Sequence, residues 1–235
     1  EMSRQNVLLV AAATLVSAAL ILPTSGVVAK DWTSVSVNHM PMVEGSGRVV
    51  QQSRNVGDFR AVRTMGSENV EVRFGPRSSV VIAADDNILP LLSTRVVDGT
   101  LKLESRGSYR THNPIRVWIT TPRLDEFTTM GSGDVVIHDV NTSSIKLTLQ
   151  GSGDIQANGR AGELDLTLMG SGRARLADLS ATDVTAGIFG SGEATVRASG
   201  KLDAQMFGSG SLRYIGNPAS LRSSHFGSGR IIAAN

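Results

Sequence analysis

The candidates for proton transfer are two adjacent carboxylates, Asp85 and Asp86, with three of the four imidazoles, His112, His138 and His225, scattered elsewhere. General acid–base work needs two groups aimed at one reacting bond, whereas neighbouring residues of a strand point to opposite faces. Asp85 and Asp86 could therefore cooperate only in a turn. The stretch Ala84-Asp85-Asp86-Asn87-Ile88-Leu89-Pro90 reads as a corner, with Asp and Asn bonding the local backbone. The 235 residues contain no Cys, which excludes a disulfide framework, a thiolate metal site and a cysteine nucleophile. Asp134 and Asp154 each follow a Gly-Ser-Gly triplet, a pattern resembling the calcium turns of nonapeptide β-rolls. Calcium takes about six to eight oxygen ligands, and the equivalent positions of other triplets hold Arg173 and Arg230. An Asp154, Arg173, Glu193 charge ladder is the better account of that column. No catalytic, cofactor-binding or metal-ligating residue is expected, and no cofactor.

The elements that would carry these residues follow from an internal repeat. Gly131-Ser132-Gly133, Gly151-Ser152-Gly153, Gly170-Ser171-Gly172, Gly190-Ser191-Gly192, Gly208-Ser209-Gly210 and Gly227-Ser228-Gly229 start at spacings of 20, 19, 20, 18 and 19 residues. Four and six places after each first Gly lie Val135 and Ile137, Ile155 and Ala157, Ala174 and Leu176, Ala194 and Val196, Leu212 and Tyr214, Ile231 and Ala233. Polar residues such as Asp134, Gln156, Arg175 and Thr195 alternate with them, which is a strand with one buried face. Counting back two, four and six places gives Leu149, Leu147 and Ile145, then Leu168, Leu166 and Leu164, then Ile188, Ala186 and Val184, then Met206, Ala204 and Leu202. The pattern frays at Thr129 and at His225 and Ser223. Each repeat is strand, turn, strand, corner. A unit of this size closes no core alone, but stacked at ~4.8 Å its inward columns become continuous.

Glycine suits the corner because it takes sparse backbone angles without a Cβ clash, and the intervening Ser is expected to stack, its hydroxyl joining a ladder. Just before each corner stand Met130, Gln150, Met169, Phe189, Phe207 and Phe226. By parity these leave the core. Phe189, Phe207 and Phe226 form either a self-packed aromatic row or an exposed binding patch, with packing favoured.

Elsewhere the chain is less regular. Arg4, the uncharged stretch from Val7 to Leu22 and Val27-Val28-Ala29 read as a signal peptide over 1–29 cleaved after Ala29, rather than an anchor. Residues 30–55 read as a linker. In 56–130, Val70, Val72 and Phe74 alternate, Asp98-Gly99 marks a hairpin-like turn and Ile115, Val117 and Ile119 alternate again. This part is expected to form wider coils of the same solenoid, continuous with the regular coils of 131–235. The chain carries 23 cations against 21 anions and only 4% aromatics, leaving little charge or stacking surface for nucleic acid. The expected fold is all-β, a parallel β-helix-like solenoid of ~19-residue Gly-Ser-Gly repeats.

With Asp58-Phe59, Ala84-Asp85-Asp86-Asn87-Ile88-Leu89-Pro90, Val97-Asp98-Gly99-Thr100-Leu101-Lys102, Pro114-Ile115, Thr120-Thr121-Pro122 and the serial Gly-Ser-Gly-Asp corners, the sequence from Asn55 to Asn235 resembles the auto-transporter adhesin head-GIN domain family of bacterial secreted proteins. The resemblance implies a right-handed parallel β-helix-like fold, export to the periplasm or outer surface, and no established catalytic residues. Many relatives are lipid-anchored, which the absence of Cys forbids here.

The expected function is an exported, non-catalytic, adhesin-like module presenting a flat ladder to cell-envelope glycan or protein. A polysaccharide-active β-helix lyase or hydrolase, and a structural envelope protein without a dedicated ligand, are the alternatives. The C-terminal coil has no visible cap, so self-association through that open edge is expected, with the N-terminal part capping the other end.

Overall fold

The computed structural model describes residues 42–234. The expected signal peptide and residues 30–41 of the expected linker lie outside the described residues. The first strands are β1 (Val43–Glu44), β2 (Val49–Arg54), β3 (Ala61–Gly66), β4 (Asn69–Phe74) and β5 (Ser79–Asp85). A single 3-10 turn, Leu89–Leu91, precedes β6 (Leu92–Val97), β7 (Thr100–Ser105), β8 (Tyr109–Arg110), β9 (Arg116–Thr121) and β10 (Glu126–Gly131). Four long elements follow, each a bent circuit running from one corner to the next: β11 (Val135–Gly151), β12 (Asp154–Gly170), β13 (Arg173–Gly190) and β14 (Glu193–Gly208). The chain closes with β15 (Ser211–Ile215), β16 (Ser220–Phe226) and β17 (Arg230–Ala233). Among the described residues no helix is long and apolar enough to cross a membrane.

The architecture is a β-solenoid of about five stacked parallel turns. β10 through β15 pair in sequence order, and the pairs from β10–β11 to β13–β14 keep the corner glycines in register, as in Gly131↔Gly151 and Gly151↔Gly170. The alternating columns become the core: Leu147, Leu149, Leu164, Leu166, Leu168, Ile188 and Leu202 are fully buried. Burial of each such side chain contributes ~1.5–3 kcal/mol before the entropy of ordering it. The frayed position before the first triplet is a buried polar pair, in which the Thr64 hydroxyl donates to Thr129 Oγ1 at 2.9 Å. Burial without an unmet hydroxyl is what lets Thr replace Leu there.

The corner works differently from the expectation. The stacking bond is made by the backbone: the Ser152 amide donates to the Gly131 carbonyl at 3.0 Å, Ser171 to Gly151 at 3.0 Å, and Ser191 to Gly170 at 2.9 Å. The serine side chains face solvent. Gly151, at φ +134°, sits directly against the Gly131 carbonyl, so a Cβ there would overlap that oxygen. Glycine is required both by the backbone angle and by the coil below.

The 56–130 segment pairs directly with the repeats, but its connectivity is not a run of wider coils. The coil formed by β3 and β4 lies between two others: β3 pairs in parallel with β7 on one side and β10 on the other, and β4 with β9 and β11. Antiparallel strands then close this end, β5 against β9 and β6 against β7. The linker reading is corrected for residues 43–54: β1 pairs with β8, and β2 pairs antiparallel with β5 from Val49↔Asp85 to Arg54↔Val80. β2 is an edge strand of mostly exposed side chains, so its sequence lacks the alternation that marks a half-buried strand. At the far end, among the described residues, β16 pairs only with β14, and β17 only with β15. Leu221 and Ile232 are left 46% and 41% exposed on this uncovered last coil.

Gly151→Ala should lower unfolding free energy by at least about 2 kcal/mol, combining backbone strain with a forced shift of the coil. Ser152→Ala, one residue away, should stay within about 0.5 kcal/mol. Urea denaturation of the two variants makes the comparison.

Candidate functional site

The corner register places side chains of equal offset in rows along the solenoid. On the sheet containing β10 and β16, one row reads Met65, Met130, Gln150, Met169, Phe189, Phe207, Phe226. Parity sends it outward, and Met65, Met169, Phe189, Phe207 and Phe226 are among the most exposed large apolar residues. The two expectations for the phenylalanines therefore meet in one arrangement. Phe189 and Phe207 stack with centroids 5.4 Å apart and planes 3° from parallel, and Phe207 and Phe226 at 5.1 Å and 12°. Each ring covers its neighbour's face, yet Phe189 and Phe207 remain about two-fifths exposed along their edges. Phe226, last in the row, is 64% exposed.

Two neighbouring rows define the character of this surface. Thr128, Thr148, Thr167, Gly187, Gln205 and Ser224 run beside the Met/Phe row, and the corner serines flank its other side. From β10 to β16 these rows carry no charge. Charge returns in the row beyond, with Glu126, Lys146, Asp165, Asp203 and Arg222. The result is a flat, uncharged strip with an apolar ridge along it.

The acidic residues singled out in the sequence are structural. Asp85 ends β5 almost completely buried, and its carboxylate accepts from the Thr111 hydroxyl at 2.7 Å and the Asn113 side-chain amide at 2.7 Å. Those donors, with the Gly47 amide, hold its pKa below the usual carboxylate range against the opposing effect of burial. Asp86 turns outward to the Ser46 hydroxyl and Arg48, whose Nε donates at 2.7 Å, and these also lower its pKa. Asn87 accepts from the Ser46 amide and donates to the Glu44 carbonyl. The stretch is thus a turn, but it clasps residues 44–48 rather than bonding only its own backbone. No reacting bond could face both carboxylates.

The Asp column is likewise used up internally. Asn69 Oδ1 accepts from the Asp134 amide at 3.1 Å, and Asp134 Oδ1 from the Asp154 amide at 3.0 Å, so each coil caps the start of the next. Asp154 is bridged by Arg175 at 2.8 Å and Arg173 at 3.6 Å. Glu193 follows in register but forms no ion pair among the described residues. Among the described residues no three His, Cys, Asp or Glu side chains gather as a metal site would require. His138 bonds Glu71 at 3.1 Å, while His112 and His225 lie exposed elsewhere.

Two features escape sequence reading. Gly66-Ser67-Glu68 is a further corner, with Gly66 paired to Gly131 and the Ser132 amide donating to Gly66. Val70 and Val72 lie four and six places after Gly66, the same offsets as in the other repeats, so that spacing could have found it. Its third residue, Glu68, is a buried carboxyl whose Oε2 has no partner, and burial pushes its pKa up. Burial and the nearby Glu68 charge push the Tyr109 phenol up to about 12. The second feature is a pair of adjoining troughs on the outer face of the β4–β9–β11–β12 sheet. One is lined by Trp118, Glu71, Asn69, Arg116, Asp134 and His138, the other by Gln156, Asn158, Arg175 and Asp178, with Val136 and His138 as the shared wall.

The profile of the family described as "Putative auto-transporter adhesin, head GIN domain" matches residues 58–218. A solved "putative adhesin" from Bacteroides fragilis is 23% identical over 82% of this chain and 100% of its own, with a TM-score of 0.67. A "putative lipid binding protein" from Parabacteroides distasonis is 24% identical over 83% and 100%, with a TM-score of 0.57. A second "putative adhesin" from that organism is 19% identical over the same shares, with a TM-score of 0.53. At these identities the likeness is one of fold. No curated protein matches the chain.

The two buried carboxyls should act on stability with opposite pH signatures. Asp85 has a depressed pKa, so its contribution is present above the ordinary carboxylate value and lost as pH falls through the folded one. Asp85→Ala should cost about 2 kcal/mol at neutral pH through the lost charged hydrogen bonds, and less in acid. Glu68 has a raised pKa, so the wild type loses stability as pH rises past the ordinary value. Glu68→Gln should stabilise at pH 7 and be neutral near pH 3. Thermal midpoints measured from pH 3 to 8 read both signs.

Proposed function

Since the chain belongs to the auto-transporter adhesin head GIN domain family, we propose that it is an exported, non-catalytic, adhesin-like module that docks on the cell envelope through the ridge formed by Met169, Phe189, Phe207 and Phe226. The observation that carries this is the ridge itself: large apolar side chains held in register, exposed, and bordered by uncharged rows. Exposed apolar surface of this kind, rimmed by polar residues, marks an interaction site. Because the stacked rings cover one another's faces, the ridge offers edges and thioethers rather than open platforms. That suits the apolar surface of an envelope protein better than stacking by sugar rings. The spent carboxylates of Asp85 and Asp86 support a non-catalytic role. Periplasm or outer surface is the compartment this reading assigns.

Labelled protein should be retained on bacterial envelope preparations, and Phe207→Ser should reduce retention at least fivefold with an unchanged circular dichroism spectrum. Equal retention of wild type and variant would overturn the ridge as the contact. Turnover of any polysaccharide in a panel, abolished by Asp86→Asn, would replace the binding reading with an enzymatic one.

The open coil of β16 and β17 also fits a second copy of the chain, since its backbone edge and Leu221 lack a covering strand. Sedimentation should show concentration-dependent association that Leu221→Lys weakens; a monomer throughout would count against it.

A further inference from the structure

The troughs on the other sheet have a chemistry distinct from the ridge. Along one outward row, register places Trp118 (β9), Glu71 (β4), Val136 (β11), Gln156 (β12) and Arg175 (β13) side by side. Two hollows, of about 440 and 410 Å³, open along this row: Trp118 and Glu71 line the first, Gln156 and Arg175 the second, and Val136 and His138 are common to both. The first hollow has an indole at its side and two carboxylates, an imidazole, an amide and a guanidinium around it. The second is lined by the Gln156 and Asn158 amides, by Arg175 and by Asp178.

These polar groups are held before any ligand arrives. Glu71 accepts from Arg73 at 2.6 Å and pairs with His138 at 3.1 Å; Arg73, with smaller help from the His138 charge and the Trp118 indole N–H, keeps its pKa below the ordinary value. Asn69 and Asp134 are fixed by their capping bonds, Asn158 Oδ1 accepts from the Asp139 amide at 2.8 Å, and Arg175 is anchored to Asp154. Charges around the hollows compensate one another: Glu71 with Arg73, Asp154 with Arg175, and Arg116 and Asp134 on the same rim. Asp178 adds a carboxylate at the second hollow, so an anionic ligand meets no net positive field. A ring with one apolar face and many hydroxyls meets an aromatic wall, fixed donors and fixed acceptors.

We propose that the two hollows form a binding site for a neutral oligosaccharide, with one sugar ring against Trp118 and Glu71 and another over Gln156 and Asn158. Glu71 on β4 and Gln156 on β12 are separated by β11, which places the hollows about 10 Å apart. A chain of three or more sugar rings spans both, and a monosaccharide fills only one. The assignment rests on the reading of the chain as a binding module, and gives its second face a ligand class that the ridge does not serve.

Isothermal titration of the full chain with cellotetraose, maltotetraose and chitotetraose, with tetragalacturonate as the acidic comparison, tests it. The expected result is saturable binding of at least one neutral tetrasaccharide, weaker binding of its monosaccharide, and no preference for tetragalacturonate. Trp118→Ala should weaken that binding tenfold or more and Gln156→Ala about threefold to fivefold, while Phe207→Ser leaves it unchanged. Trp118→Phe, which keeps an aromatic wall, should retain most of it, and with Gln156→Ala it decides the matter should Trp118→Ala not fold. Absence of binding by all three neutral probes, or binding indifferent to Trp118 and Gln156, overturns the site. Envelope retention measured in parallel separates the two ideas: retention without oligosaccharide binding defeats the saccharide site alone, and loss of both defeats the binding module as well.

Discussion

One contact repeated from coil to coil sets everything else in this molecule: a corner glycine carbonyl accepts the next coil's backbone amide and leaves no room between them for a Cβ. Because the bond runs from the corner serine of one coil to the corner glycine of the coil beneath, it locks the register of the flat strands on either side. A slip of one residue would send every inward Leu, Ile and Val to solvent. The same lock decides what the surface looks like, since outward residues of equal offset must line up whether or not they interact. The stacked phenylalanines, the uncharged rows beside them and the row from Trp118 to Arg175 are all products of that register.

The regular half of the fold is legible in the sequence because its contacts are between neighbours about 19 residues apart, and an apolar alternation repeated at that distance is visible along the chain. Where contacts reach further, legibility fails for a definite reason. β4 meets β11 across more than sixty residues, and nothing local in Val70 or Val72 says that their coil is inserted between two later ones. Gly66-Ser67-Glu68 was hidden by the glutamate in place of its second glycine. β2, an edge strand with little to bury, looks like linker because only its backbone partners identify it.

The surfaces divide in the same way. The Phe189, Phe207 and Phe226 row follows from parity within the repeats, and its ambiguity between packed and exposed dissolves once the rings are seen to stack on one another while keeping their edges free. The hollows beside Trp118 depend on β9 lying next to β4, a pairing between segments that are distant in sequence and joined through the capped end. Asp85 is instructive in a third way: its neighbour Asp86 makes it resemble half of a catalytic pair, but its partners are Thr111 and Asn113, brought to it by the fold. A carboxylate whose acceptor capacity is satisfied by fixed neutral donors is a structural anchor.

The two ends of the solenoid are unlike, one sealed by antiparallel strands and the other left with unpaired edges, and this gives the assembly a direction in time as well as in space. A chain made from its N-terminus completes the sealed end first, since β2 to β9 precede every regular repeat. Each later coil then finds a finished edge and a finished row of glycine carbonyls on which to settle. In a structure whose stability is a sum of neighbouring interfaces, such growth from a seed lets short-range contacts do the searching.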